Sequence, residues 1–397
     1  MNNHTWKEKV IALRRQFHEN PELSGQEFET SKIVQDILKN EGIHFETGYA
    51  KTGVLGIIEG EKAGGTIALR ADMDALPIVE RTDIDFPSKN AGVMHACGHD
   101  AHTAMLLCTA MRLNEMKASL QGTVLLVFQP AEENSPIGGA GPMLEDGIFA
   151  KYRPDAIFGQ HVWPNLAVGQ IGIRDKEMMG ASDSIRITIK GEGGHASMPH
   201  QGKDAIVISA ELISAIQSII SRNADPLEAA VITIGTISGG YRYNVIADQV
   251  ILEGTVRTYK ESIKEMIKSR LVQLIKGFEI AYGISIDFVY TDGYNATVNT
   301  PEWAQLVRSR VVSMLGETAA PTVNASLGGE DFSRFLKEIP GAFYWLGCAR
   351  EGVEVQRPLH DAEFYLNEEC LELGVNLMTD VAMQALSTLA SKGSFEK

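Results

Sequence analysis

The stretch Met94 to Leu107, "MHACGHDAHTAMLL", places three histidines, one cysteine and one aspartate within eight positions, at the mouth of an apolar helical run. Cys97 and His99 stand two apart, just ahead of the expected helix, and from a loop both side chains can face one ion. A thiolate beside an imidazole suits borderline cations such as Zn2+, Mn2+, Co2+ or Ni2+. Asp100 is placed to take the other ring proton of a ligand histidine. The bland alternative is a small buried cysteine beside a helix-capping His-Asp pair. This stretch alone does not separate the two, so partners must come from elsewhere in the chain.

The partners lie at the ends of apolar runs. Glu132 and Glu133 follow "VLLVF" in "FQPAEE". Adjacent residues on extended chain point oppositely, so one can bind metal while the other faces a substrate. His161 ends another run in "GQHVWP", and His360 sits in "RPLHDAEF". Alone, the pair reads as a solvated loop, His161 as a core histidine and His360 as a helix-start residue. Together Cys97, His99, Glu133, His161 and His360 suffice for two divalent ions at three protein ligands each, one ligand being shared. Such a pair clamps a water and the leaving group of a displacement. No G-x-S-x-G elbow, P-loop or G-x-G-x-x-G fingerprint competes. A Cys97 nucleophile with a histidine base would leave the glutamates unexplained. The glycines of "SPIGGAGPM" read as a flexible loop beside the site.

The elements that must position these groups follow from periodicity. The first half alternates helix and strand. A helix spans about 28–41, strands are expected at "GVLGIIEG" and "GTIALRADMD", and a helix runs from about Thr103 to Met116. "GTVLLVFQPAEE" and "DAIFGQHV" are further strands. Apolar strands separated by helices predict an α/β fold, a mixed and mainly parallel sheet with helices on both faces. Ligands in such sheets sit beyond the carboxyl ends of the strands. Asp72, Asp74, Glu132, Glu133 and His161 all fall at that edge. From Ser182 the order becomes β-α-β-β-α-β, a ferredoxin-like unit. Its first helix sets Ala205, Ile208, Leu212, Ile216 and Ile219 on one face. The expected organisation is a first domain of residues 1–181 and 295–397, with 182–294 inserted.

The 397 residues carry a net charge of −15, which disfavours nucleic acid and anionic membranes as partners. No apolar run reaches the roughly 18 residues of a membrane span, and the N-terminal "MNNHTWKEKVIALRRQF" lacks a signal peptide's apolar core. A cytoplasmic protein is expected. The four cysteines are scattered, so a disulfide framework is not expected.

The whole chain resembles the aminoacylase, hippurate hydrolase and auxin-conjugate amidohydrolase group of dinuclear metallopeptidases, with carboxypeptidase G and succinyl-diaminopimelate desuccinylase more distant. The motifs that carry this, in order, are "RRQFHENPELSGQE", "LRADMDALPI", "MHACGHDAHTAML", "FQPAEE", "GQHVWP", "GGHASMPH", "NVIADQVILEGTVRT", "GGEDFSRF" and "LHDAEF". The resemblance implies hydrolysis of N-acyl-L-amino acids with two divalent ions per subunit. Cys97 would bridge the ions, His99 and His161 completing one site, Glu133 and His360 the other. Glu132 would be the general base and Asp74 the carboxylate that orients a ligand histidine. Distant relatives have a ligand histidine where this chain has Asp72; its own subgroup takes that histidine from "CGHD". His195 would be a catalytic histidine of the inserted domain, carried on a loop that Gly191, Gly193 and Gly194 leave free to move. Asn244, Arg257, Gly328 and Gly329 would hold the substrate's acyl oxygen and carboxylate. The inserted domain would act as lid and homodimer interface, with His195 serving the partner subunit. A metallo-dipeptidase and a non-catalytic two-domain binding protein are the alternatives, and Glu132 argues against the second.

Overall fold

The computed structural model describes residues 3–393; residues 1–2 and 394–397, the extremities of the expected first domain, lie outside the described residues. Helices α1 (Asn3–Glu19) and α2 (Phe28–Asn40) lead into strands β1 (His44–Tyr49), β2 (Gly53–Glu59) and β3 (Lys62–Asp72). After a long loop come α3 (His99–Glu115), β4 (Gln121–Gln129), α4 (Ala140–Glu145), β5 (Ala156–Ala167), β6 (Ile171–Gly172) and β7 (Glu177–Met179). Next are β8 (Ala181–Lys190), β9 (Gly194–His195), α5 (Ala205–Asn223), β10 (Ala230–Gly239), β11 (Val245–Ile246), β12 (Gln249–Thr258), α6 (Glu261–Tyr282) and β13 (Ser285–Tyr294). The chain ends with β14 (Thr297–Val298), α7 (Pro301–Leu315), α8 (Phe332–Glu338), β15 (Gly341–Ala349) and α9 (Glu369–Gly393). These elements form two compact units. One holds Met1–Met178, Thr297–Ala325 and Asp331–Lys397; the other holds Met179–Ala296 together with Ser326–Glu330.

In the first unit a seven-stranded sheet has the order β1-β2-β4-β3-β5-β15-β6. The central strands β4, β3, β5 and β15 pair in parallel. The outer pairings are antiparallel. Ile67, Leu69 and Ala71 of β3 join the core shared with α3 and α9. The alternate residue Arg70 turns to the other face, against the Phe332 ring of α8. Helices therefore cover both faces, and β4 is apolar without alternation because neither face meets water. Pairing of Asp72 with Gln129 brings the carboxyl ends of β3 and β4 level. β5 leaves β3 at Gly159 but continues along β15, where His161 lies opposite Trp345.

The second unit is a four-stranded antiparallel sheet, β10-β12-β8-β13, with α5 and α6 packed on it in β-α-β-β-α-β order. Asp204 caps α5 by accepting the Ile206 and Val207 N–H groups. Ala205, Ile208, Leu212, Ile216 and Ile219 are all buried against the sheet. By length and composition α5 could cross a membrane, but that apolar stripe is committed to the unit's own core. Gly283 ends α6 in the left-handed conformation at φ 61°.

Local expectations need correction at three places that bear on the site. Helix α3 starts at His99, four residues before the expected Thr103, so His99 and Asp100 form its first turn and do not lie in a loop. Its cap is Gly98 at φ 84°, not a hydroxyl or amide side chain, and its residues are buried nearly all round, which removes the amphipathic signal. Strand β5 runs on to Ala167, so His161 is mid-strand and not terminal; pairing with β15 keeps it extended. Glu132 and Glu133 lie beyond β4 in a turn after Pro130, with Ala131 at φ 55°. Their divergence comes from that turn and not from strand alternation.

Candidate metal centre

The first unit brings the chemistry-bearing side chains to the carboxyl edge of its sheet. Ligand atoms of Cys97, His99 and His161 lie within 4.8 Å of one another, and so do those of Cys97, Glu133 and His360. Cys97 is the member common to both groups. His161 Nδ1 is 2.7 Å from the Val162 carbonyl, to which it donates, leaving Nε2 as a lone pair 3.4 Å from Cys97 Sγ. His99 Nδ1 donates to Asp74 Oδ1 at 3.2 Å, and its buried Nε2 has no hydrogen-bond partner. His360 Nε2 lies 3.0 Å from Glu133 Oε1, and its backbone, at φ 67°, is tied by its N–H to the Ala96 carbonyl. His360 thus sits in a left-handed turn and does not start a helix.

Within the motif, His102 is excluded by its own bonds. His102 Nδ1 donates to Asp72 at 2.6 Å while its Nε2 accepts the Val162 N–H, so no lone pair remains. Asp72 is shared between His102 and Arg70. Asp100, expected to take a ligand histidine's ring proton, instead accepts from Arg14 at 2.8 Å and His18 at 2.7 Å. It lies on the first turn of α3 facing α1, whereas Asp74 reaches the His99 ring.

Electrostatics favour cations here. Burial disfavours a charged His99 ring, but the Asp72 charge and the Asp74 hydrogen bond outweigh it and push the ring up to about 10. Burial, followed by the charges of Glu133, Glu132 and Asp72, holds the Cys97 thiol well above its usual range. A thiol so placed becomes a thiolate only when a cation coordinates it. An orphaned imidazole nitrogen, a second ring nitrogen facing the shared cysteine, and a surplus of carboxylates fit two divalent ions. Buried charge of one sign is otherwise costly.

Carboxylates around the centre fix its geometry. Asp74 takes His99 Nδ1 on Oδ1, and on Oδ2 the Ser24 hydroxyl at 2.6 Å and the Glu133 N–H at 2.9 Å. Glu27, fully buried, accepts the N–H groups of Gly25 (2.7 Å) and Ala131 (2.9 Å) on Oε1 and the Thr52 hydroxyl (2.8 Å) on Oε2. Burial and the nearby Asp74 charge push its carboxyl up. Asp331 binds Arg70 and Gln129, and accepts the Gly139 and Ala140 N–H groups at the start of α4. Its own N–H points to Glu132 Oε1 at 3.4 Å. The glycine run after the glutamates is therefore pinned, and a Cβ at Gly139 would meet the Pro130 carbonyl at 1.7 Å. Nothing in the sequence alone marks out Ser24, Glu27, Arg70 or Asp331. They lie within the quoted motifs, but single polar residues scattered over helices and loops carry no spacing signal.

The remaining candidates lie in the second unit. Glu192 and Lys203 exchange backbone hydrogen bonds, and β9 pairs with β11, so the loop carrying His195 is held at both ends. Gly191, Gly193 and Gly194 do not take positive φ. Gly191 serves close approach, since a Cβ there would meet the Lys203 carbonyl at 2.2 Å. His195 is exposed, and its Nδ1 accepts the Ser197 N–H at 3.1 Å. The neutral ring therefore carries its proton on Nε2. The Asn244 carbonyl accepts the Ala196 N–H, and Asn244 Oδ1 is buried without a partner. Arg257 pairs in register with Ser182, and a Cβ at Gly329 would lie 2.7 Å from Ser182 Oγ and 3.4 Å from the Arg257 guanidinium. Burial pulls the Arg257 guanidinium down, yet no ion pair or hydrogen bond to its side chain occurs among the described residues. The nearby carboxylate of Asp183 is engaged by Lys264, Tyr290 and the Gly293 N–H. Gly328 donates to Ser326 Oγ and accepts from Gly180.

Residues 68–384 match the profile of peptidase family M20/M25/M40. The chain belongs to that family. It is 40% identical to an N-acetylcysteine deacetylase of Bacillus subtilis, covering 96% of this chain and 98% of the relative. It is equally 40% identical to thermostable carboxypeptidase 2 of Saccharolobus solfataricus, over 92% of each. The crystal structure of Bacillus subtilis YXEP protein, described as a dinuclear metal binding peptidase of family M20, superposes with a TM-score of 0.84. It shares 35% identity over 98% of this chain and all of that one.

Proposed function

We propose that this chain is a metal-dependent amidohydrolase that cleaves the amide bond of N-acyl-L-amino acids to a carboxylic acid and a free amino acid. The observation that carries the reading is the sharing of Cys97 between two three-residue ligand groups, with Glu132 beside them outside either group. Cys97, His99 and His161 would hold one divalent ion and Cys97, Glu133 and His360 the other. Ions bound there would lower the pKa of a water and polarise the acyl carbonyl. Glu132 takes the proton of the attacking water on its carboxylate and delivers it to the leaving amine. His195, with Nδ1 occupied by Ser197, has an Nε2–H to donate to the developing oxyanion. Arg257, with no ion pair among the described residues, receives the carboxylate of the substrate, and Gly328 and Gly329 leave room for it. Asn244 Oδ1 marks a side-chain amide free to contact the substrate's acyl group. The deacetylase relative supports an acetylated amino acid as substrate, and the protein acts as a homodimer through its inserted domain.

The test is a panel of N-acetyl-, N-benzoyl- and N-succinyl-L-amino acids, with unblocked dipeptides beside them, on enzyme reconstituted with Mn2+, Zn2+, Co2+ or Ni2+. Turnover of acyl amino acids with two metal equivalents bound is expected, and loss of at least one ion in Cys97→Ala. Hydrolysis confined to dipeptides, or no hydrolysis of any member with both ions bound, refutes the proposal.

A further inference from the structure

Glu132 follows a residue in an unfavourable backbone conformation. Ala131, at φ 55°, is one of the described non-glycine residues with positive φ, and it is buried. A side chain with a Cβ resists that region, so surrounding bonds must impose it. Two carboxylates supply those bonds from opposite ends of the segment. Asp74 accepts the Glu133 N–H, and Glu27 accepts the Ala131 N–H. Between the two anchored amides stands Glu132. Glu27 is otherwise saturated by Gly25 and Thr52, has no measurable exposure, and belongs to neither ligand group. One of the three hydrogen bonds of this buried carboxylate ends on the backbone amide one residue before the candidate base.

We infer that Glu27 is a positioning residue for the base. By binding the Ala131 amide it holds the left-handed turn that aims the Glu132 carboxylate, independently of metal retention. This rests on the reading of Glu132 as general base. One segment, "ELSGQE", supplies Ser24 to Asp74 and Glu27 to Ala131, so both anchors of the glutamate turn meet the same loop.

The test uses metal-loaded enzyme with N-acetyl-L-methionine, reading kcat and KM separately alongside metal content. Glu27→Ala should lower kcat by about 100-fold, the cost of a misplaced catalytic group, with KM near wild type and two metal equivalents retained. Glu27→Gln keeps an acceptor oxygen toward Ala131 and should restore turnover to within roughly tenfold of wild type, the Thr52 hydroxyl turning to accept. Glycine enters the left-handed region freely, so adding Ala131→Gly to Glu27→Ala should recover at least about tenfold in kcat. A crystal structure of Glu27→Ala should show Ala131 outside the left-handed region. Glu27→Asp, which keeps the charge but withdraws it by one methylene, supplies the same kcat readout if the alanine variant does not fold. Unchanged kcat in folded Glu27→Ala or Glu27→Asp, a fall that tracks metal loss, equal damage from Glu27→Gln, or no recovery by Ala131→Gly each overturns the assignment. Glu132→Gln run in parallel separates the two levels. Retained turnover there removes the base reading itself, whereas its loss beside an active Glu27→Ala removes only the role given to Glu27.

Discussion

Single side chains at the candidate centre are distinguished less by type than by which of their atoms remain free. His99, His102 and His161 are all buried and their rings cluster. Of the three, His102 has both nitrogens committed to groups outside the candidate ligand set, whereas His161 Nε2 faces Cys97 and His99 Nε2 has no hydrogen-bond partner. The same reasoning selects Arg257, a part-buried guanidinium with no ion pair among the described residues. A hydrogen bond to a charged group contributes about 1.5–3 kcal/mol, roughly 10- to 150-fold in rate or affinity. Arg257→Ala should therefore lower kcat/KM by that factor for N-acyl amino acids with a free carboxylate, and much less for the matching amides. Equal losses on both would show that Arg257 has a structural role only.

At the scale of elements, the two carboxylates Asp74 and Asp100 have different tasks. Asp74, two residues beyond β3, orients the His99 ring; Asp100, on the first turn of α3, neutralises Arg14 and His18 of α1. Arg14, His18 and Asp100 are all buried. Removing one partner of a buried charge pair leaves the other uncompensated, at about 3–5 kcal/mol. Asp100→Ala should thus lose about that much in urea unfolding while metal affinity changes little. Asp74→Ala should show the reverse balance, with metal affinity down roughly 10- to 100-fold, as when a ligand histidine loses its orienting carboxylate. Titration calorimetry and denaturation on both variants check this, and a larger affinity loss in Asp100→Ala would invert the assignment.

For the whole molecule, the second unit leaves β10 and β13 as sheet edges, and β10 exposes Val231 and Ile237. Unpaired edges invite pairing with a second copy. If that dimer places each His195 at the partner's centre, two inactive variants complement one another. Mixed dimers of His195→Ala and Glu132→Ala would carry one doubly defective and one intact site, so co-refolding should restore up to about half of the activity per mixed dimer, counting sites. Verified mixed dimers that stay inactive would show that each His195 serves its own subunit.

Much of this architecture could be read from periodicity. The stripe Ala205–Ile219 of α5 and the central strands follow from local patterns of burial, because each such element shows either one face or both faces to a core. The residue types able to bind metal were equally legible in Cys97, His99, Glu133, His161 and His360. Tertiary structure decided which atoms of these residues are free, since that depends on partners as distant in sequence as Asp74 from His99 and Glu133 from His360. It also decided where α3 begins, because Gly98 caps it by adopting φ 84° and not through a recognisable side chain. Most of all it decided the work of Ser24, Glu27, Arg70 and Asp331. Their meaning lies in carboxylates and backbone amides brought to them by sheet pairing and helix packing, and a hydrogen bond of that kind leaves no periodic trace along the chain.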